Sequence, residues 1–185
     1  MSKSALFPAI FLDRDGVIIV EKHFQIDIDK IEFLPRALDA LLKISGIFKL
    51  IVISNQSGVG RGYFTLDEAV KFNSKLHDIL LKNDVEIDDW YICPHTPDDN
   101  CTCRKPRPGM LLEAASNHSI DFNVSYLIGD KSSDIAAGKS VGVKTILVRS
   151  GYGGREEGRL SITPDFEADD IYDAVLYIMA ERNSG

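Results

Sequence analysis

No stretch of this chain approaches the roughly 18 consecutive apolar residues of a membrane-spanning helix, so no membrane partner is expected. The opening Met-Ser-Lys-Ser-Ala-Leu-Phe-Pro also lacks the long apolar core of a signal peptide, which makes a cytoplasmic location the default expectation. A basic excess is missing too: 21 Lys and Arg stand against 28 Asp and Glu, a net charge of -7. Nucleic-acid binders displace counterions with a cationic face, so no nucleic-acid partner is expected. A phosphorylated small molecule is not, because a few local cations and a metal can meet its charge. The Gly-rich stretch from Asn55 to Thr65 lacks the Gly-Lys-Ser/Thr of a phosphate-binding Walker loop. Only three cysteines occur, Cys93, Cys101 and Cys103, and none lies outside that cluster, which argues against a disulfide framework. No repeat, low-complexity tract or linker divides the 185 residues, 44% of them hydrophobic, so residues 1–185 are read as one domain.

What is present is alternation. Short apolar runs (Ala9–Leu12, Leu50–Ile53, Trp90–Ile92, Tyr126–Ile128 and Thr145–Val148) alternate with segments of helical period. Continuous Val/Ile/Leu runs suit parallel strands buried on both faces. Helices are expected after Pro35, with Ala37, Leu38, Leu41 and Leu42 on one stripe, and after the capping box Thr65-Leu-Asp-Glu68, with Leu66, Val70, Leu76, Ile79 and Leu80 on another. Further helices are expected after Pro108, after Ser132 and from Ile171 to Ala180. Asp165 to Asp173 reads as a solvated helix start, Gly151–Gly154 as a loop, and Trp90 as a core anchor. His77 and His118 sit on helical patterns without partners in sequence and read as surface or packing. Strand-helix alternation predicts an α/β fold, a doubly wound parallel sheet of Rossmann-like type. Ligands of such sheets bind beyond the carboxyl ends of the strands. Polar signatures lie at those ends.

Asp13-Arg14-Asp15-Gly16-Val17 follows the first run. Two carboxylates at that spacing suit a nucleophile and an acid/base for phosphoryl chemistry, and equally suit a turn or a calcium-type loop. Ser54-Asn55 offers a hydroxyl and an amide for a phosphoryl oxygen, or a helix cap. Lys105 offers charge neutralisation, or a solvated lysine. Gly129-Asp130-Lys131-x-x-Asp134 offers a carboxylate for a hard cation; Asp134 also fits the acid that a helix N-terminus favours.

Together these segments resemble the haloacid dehalogenase superfamily over most of the chain, with Ile10-Phe-Leu-Asp-Arg-Asp-Gly-Val17 matching its Asp-x-Asp signature. The resemblance implies a haloacid dehalogenase type fold without a large cap domain. It implies Asp13 as nucleophile, Asp15 as acid/base, and Ser54 and Lys105 as phosphoryl stabilisers. It also implies catalytic Mg2+ on Asp13, Asp130 and the backbone carbonyl of Asp15. A second aspartate at this spacing points to the phosphatase branch.

Cys93-Pro-His95-x5-Cys101-Thr-Cys103 supplies three thiolates and one imidazole, a set that suits structural tetrahedral Zn2+ in a zinc-stabilised loop; redox and free-thiol roles are the alternatives. Within the superfamily, Cys-Pro-His and Cys-x-Cys-Arg-Lys-Pro resemble two phosphatase groups, those acting on heptose 1,7-bisphosphate and those acting on histidinol phosphate. The heptose resemblance implies substrate contacts from Glu21, Lys22, His23, Phe24, Ser54, Asn55, Gln56, Ser57, Arg104, Lys105 and Lys131. It implies a small-molecule sugar bisphosphate in the synthesis of nucleotide-activated heptose for lipopolysaccharide. The short zinc loop keeps the histidinol group open. Arg61, Arg104, Arg107 and Lys131 are expected to gather at one mouth, which favours a second phosphate, the alternative being that Arg61 and Arg107 simply face solvent. His23 is read as a substrate contact or an exposed loop histidine. A monomer is the default expectation.

Overall fold

In the computed structural model, which describes residues 6–156 and 158–184, six strands form one sheet in the order β3-β2-β1-β4-β5-β6. The strands are β1 (Ala9–Leu12), β2 (Lys49–Asn55), β3 (Asp89–Cys93), β4 (Tyr126–Gly129), β5 (Lys144–Val148) and β6 (Phe166–Ala168). Neighbouring strands are parallel, with Ile10 opposite both Leu50 and Tyr126. The five apolar runs form β1 to β5. The doubly wound architecture is as the alternation implied.

Period-2 geometry sends alternate residues to opposite faces. Ile10, Leu12, Leu50 and Val52 pack with α1 (Ala37–Ile44), α2 (Leu66–Leu81) and α5 (Ile171–Ser184). Ala9, Phe11, Ile51 and Ile53 pack with α3 (Gly109–His118) and α4 (Ser132–Val141). Because both faces are covered, the central strands have no polar alternation to show.

Details of the helices differ from the sequence reading. The buried stripe of α2 is Ala69, Phe72, Leu76 and Leu80, while Leu66 and Val70 are exposed; α1 buries Ala37, Ala40, Leu41 and Ile44 but exposes Leu42. The Thr65 capping box forms as expected, with Glu68 donating its backbone N–H to Thr65 Oγ1. The segment from Asp165 is not a helix start. Phe166–Ala168 forms the edge strand, and Asp165 accepts from the Thr145 N–H (2.8 Å) and hydroxyl (2.9 Å), fastening β6 to β5. Trp90 is half-buried, its indole N–H donating to His77 Nδ1 at 3.4 Å, and His118 meets Asp89 at 2.9 Å.

The strand order reverses between β1 and β4. Crevices at such a reversal are where doubly wound sheets bind ligands.

Candidate active site

At this reversal the chain leaves β1 through Asp13, whose backbone N–H donates to Ile128 O of β4 at 3.0 Å. Asp13 is thereby set beside Asp130, the first residue after β4, and Asp134 reaches the same point from the first turn of α4. Asp13, Asp130 and Asp134 are all buried, with carboxylate oxygens within 4.8 Å of one another. Lys105 is buried among them. Its ammonium lies 3.0 Å from Asp13 Oδ1 and 2.6 Å from Asp134 Oδ1, and donates to Ile53 O at 2.7 Å.

These charges set one another. Burial pushes Asp13 upward, but Lys105 and Lys131 outweigh it and hold the carboxyl below its ordinary value. Burial works against the Lys105 ammonium, yet Asp13 and Asp134 hold its pKa above that of a free lysine. Asp130 is pushed up to about 8, first by burial and then by the charge of Asp13. Its Oδ2 accepts the Tyr152 N–H at 2.8 Å, while its buried Oδ1 has no hydrogen-bond partner. An orphaned buried oxygen among clustered carboxylates fits a hard divalent cation such as Mg2+, which takes one or two carboxylates and retains waters. Two glycines make room there. A Cβ at Gly16 would lie 2.4 Å from Asp130 Oδ2, and one at Gly151 would lie 2.1 Å from it.

Asp15 faces the other way, into a cavity of about 560 Å³ above the cluster. Its Oδ2 accepts from Arg14 Nη2 (2.8 Å) and from Gln56 Nε2 (2.9 Å). Gln56 also donates to the buried Ser54 hydroxyl at 2.7 Å.

Of the residues expected to contact substrate, the cavity wall includes Glu21, His23, Phe24, Asn55, Gln56, Ser57, Arg104, Lys105 and Lys131. Lys22 turns away, pairing with Glu32 at 2.8 Å and donating to Lys30 O. Asn55 is committed to the backbone of Lys105, donating to its carbonyl and accepting its N–H. Of the four expected cations, Arg104 and Lys131 line the cavity. Arg61 stays outside the wall, 6.0 Å over the Phe24 ring. Arg107 does not join them: it donates to Cys101 O (2.5 Å) and to Asn100, and so braces the cysteine loop. The mouth is less cationic than the sequence suggested, because the loop's own carbonyls take up one guanidinium.

The cysteine cluster converges as its spacing implied. Cys93 Sγ lies 3.6 Å from Cys101 Sγ and 3.3 Å from Cys103 Sγ, those two are 3.5 Å apart, and His95 Nδ1 lies 3.3 Å from Cys103 Sγ. A tetrahedral centre with Zn–S of about 2.3 Å has S···S edges of about 3.8 Å, so the four donors fit Zn2+ closely. Burial pushes the Cys93 thiol up to about 12, a value that only a strong Lewis acid offsets near neutral pH. All three cysteines are free. Arg104 Nη1 donates to His95 O at 3.1 Å, which joins the loop to the cavity.

Tyr152, Ser132, Ser133 and Glu156 line the cavity without having been singled out in sequence. The only local signal was the Gly-rich turn after β5. Tyr152 lies under Lys131 (4.5 Å to the ring) and meets His23 Nδ1 at 3.3 Å. Glu156 accepts from the Ser132 N–H at 2.6 Å, capping α4.

Comparison with known proteins agrees with this geometry. A HAD-hydrolase-like family model matches residues 102–174. The chain is 40% identical over 190 residues to D-glycero-beta-D-manno-heptose-1,7-bisphosphate 7-phosphatase of Escherichia coli K12, spanning 98% of this chain and 93% of that protein. It is 37% identical over 159 residues to the protein of that name from Pasteurella multocida, spanning 82% and 86%. Among solved structures, D,D-heptose 1,7-bisphosphate phosphatase from B. bronchiseptica, complexed with magnesium and phosphate, superposes with a TM-score of 0.85. It is 28% identical, over 94% of this chain and 99% of that one.

Proposed function

The chain belongs to the HAD-like hydrolases, in the family of the D-glycero-beta-D-manno-heptose-1,7-bisphosphate 7-phosphatases, and on that premise we propose that it hydrolyses the 7-phosphate of D-glycero-D-manno-heptose 1,7-bisphosphate through an aspartyl-phosphate on Asp13. The reaction belongs to the synthesis of nucleotide-activated heptose for lipopolysaccharide and surface glycans. The carrying observation is Asp13, held ionised by Lys105 at 3.0 Å beneath a cavity whose wall adds Arg104 and Lys131. Two cations above the floor suit a second phosphate, and a guanidinium suits fork-like contact with it.

The chemistry divides among the residues. An Asp13 oxygen attacks phosphorus in line while the bond to the sugar C7 oxygen breaks. Asp15 gives its proton to that leaving oxygen, then takes a proton from the water that hydrolyses the acyl phosphate. Lys105 offsets the repulsion between carboxylate and phosphate. Magnesium held by Asp13, Asp130 and the Asp15 carbonyl, with Asp134 alongside, would supply further positive charge when bound. Zinc held by Cys93, His95, Cys101 and Cys103 would fix the loop that delivers Arg104 and Lys105. Ser54 acts at this site through Gln56, and Asn55 through Lys105.

The cavity wall runs from the turn after β1 to the loop after β5, and a single domain acting as a monomer is part of this reading. No helix among the described residues is long and apolar enough to cross a membrane. Three thiols kept as metal ligands suit the reducing cytoplasm.

A side-by-side kinetic comparison tests the reading. Heptose 1,7-bisphosphate should show the higher kcat/KM against histidinol phosphate, and Asp13→Asn should abolish turnover of both while the fold survives. Preference for histidinol phosphate would overturn the substrate, and near-normal turnover by Asp13→Asn would overturn the mechanism.

A further inference from the structure

Between the two aspartates of the first motif stands Arg14, 1% exposed and among the largest fully buried side chains of the protein. A buried guanidinium is costly to desolvate, so what holds it and what it holds both need a physical account. Its Cζ lies 4.7 Å over the Phe72 ring, and Nη1 donates to Asn73 Oδ1 at 2.7 Å, so two adjacent residues of α2 fix its plane. The other edge of the guanidinium meets Asp15.

That meeting has an uncommon form. An arginine fork normally engages both oxygens of a carboxylate. Here Nε (3.2 Å) and Nη2 (2.8 Å) both donate to Oδ2, and Gln56 Nε2 adds a third donor to the same atom at 2.9 Å. A carboxylate oxygen has two lone-pair sites, so Oδ2 has no room for a proton or a substrate donor. Oδ1 has no hydrogen-bond partner among the described residues.

We propose that Arg14 is the positioning residue of the acid/base: by chelating Oδ2 alone it makes Oδ1 the one oxygen through which Asp15 gives and takes protons. The inference rests on the aspartyl-phosphate reading above. In the first half-reaction the Oδ1–H bond breaks as the leaving oxygen gains that proton and its bond to phosphorus breaks. In the second, a water O–H bond breaks and Oδ1–H re-forms as the water oxygen bonds phosphorus and the Asp13–phosphorus bond breaks. The proton returns to the oxygen that lost it. Asn73, which orients Arg14, is not part of the cavity wall, so α2 acts on the chemistry only through the guanidinium.

The test is leaving-group dependence. The ratio kcat/KM reports steps up to the phosphoenzyme, and proton donation matters most when the leaving oxygen is a poor one. Arg14→Lys keeps the charge, but one nitrogen cannot both meet Asn73 and chelate Oδ2. Its kcat/KM for alkyl and sugar phosphates should fall roughly 10- to 100-fold further than for p-nitrophenyl phosphate, within the range general acid catalysis supplies. Asn73→Ala should shift the same ratio in the same direction by less, and it decides the matter should Arg14→Lys fail to fold, as judged by thermal unfolding. Equal losses for good and poor leaving groups, or no loss in either variant, overturn the proposal. Failure of the parent reading is distinct: wild-type protein then releases no phosphate from either class, and this inference falls with it.

Discussion

Asn55 and Lys105 exchange two hydrogen bonds: Asn55 Nδ2 donates to the Lys105 carbonyl at 3.0 Å, and the Lys105 N–H donates to Asn55 Oδ1 at 3.1 Å. The pair closes the end of β2 onto the cysteine loop and fixes the backbone from which the Lys105 ammonium reaches Asp13. Asn55→Ala leaves both backbone groups without their partner, at about 1–3 kcal/mol for a buried group. The expected outcome is a kcat reduced roughly 10- to 100-fold with zinc content unchanged, measured by steady-state kinetics and metal analysis. Unchanged kcat would show that Lys105 is placed by the loop alone.

The cysteine loop and the carboxylate cluster should lose metal separately, because thiolate sites hold Zn2+ far more tightly than oxygen sites hold Mg2+. Dilute EDTA is expected to stop turnover reversibly while about one zinc per chain stays bound. Cys101→Ser should release zinc and lower the Tm, since binding energy at such a site is coupled to folding. Purified protein without zinc would refute the structural site.

The carboxylates also make metal binding and stability depend on pH. With Asp130 raised to about 8 in the folded chain, the stability from its neutral form is complete below its unfolded value near pH 4. It is lost as pH rises through about 8. Asp134, raised chiefly by burial, acts in the same sense. Asp13 is depressed and acts oppositely, its contribution present above about pH 4 and lost only as pH falls further. The metal-free protein should therefore show a falling Tm between about pH 4 and about pH 8, and added Mg2+ should raise the Tm more at about pH 8.5 than at about pH 6. A magnesium-induced Tm shift independent of pH contradicts the cluster as the binding site.

The order of elements and the chemistry carried at their ends can be read from the residues alone. Apolar runs of β1 to β5 are continuous because both faces are covered, and that continuity is legible without coordinates. Asp13, Lys105, Asp130 and the Cys93–Cys103 set belong to local patterns whose residue types already name their chemistry. Relationships between residues far apart in the chain emerge only from packing. The edge strand Phe166–Ala168 looked like a solvated helix start, since its polar flank Asp165 satisfies backbone and hydroxyl groups of Thr145, twenty residues earlier. Arg107 looked like a substrate cation, yet Cys101 O and Asn100 claim it. The roles of Arg14 and Tyr152 were not legible, because the Asn73 and Phe72 that hold the first, and the Lys131 and His23 that meet the second, come together only when α2, α4 and the turn after β1 close around the sheet. Periodicity records what each segment buries; which partner a buried or half-buried polar group finds is set by the packing of other segments, and no local pattern encodes that.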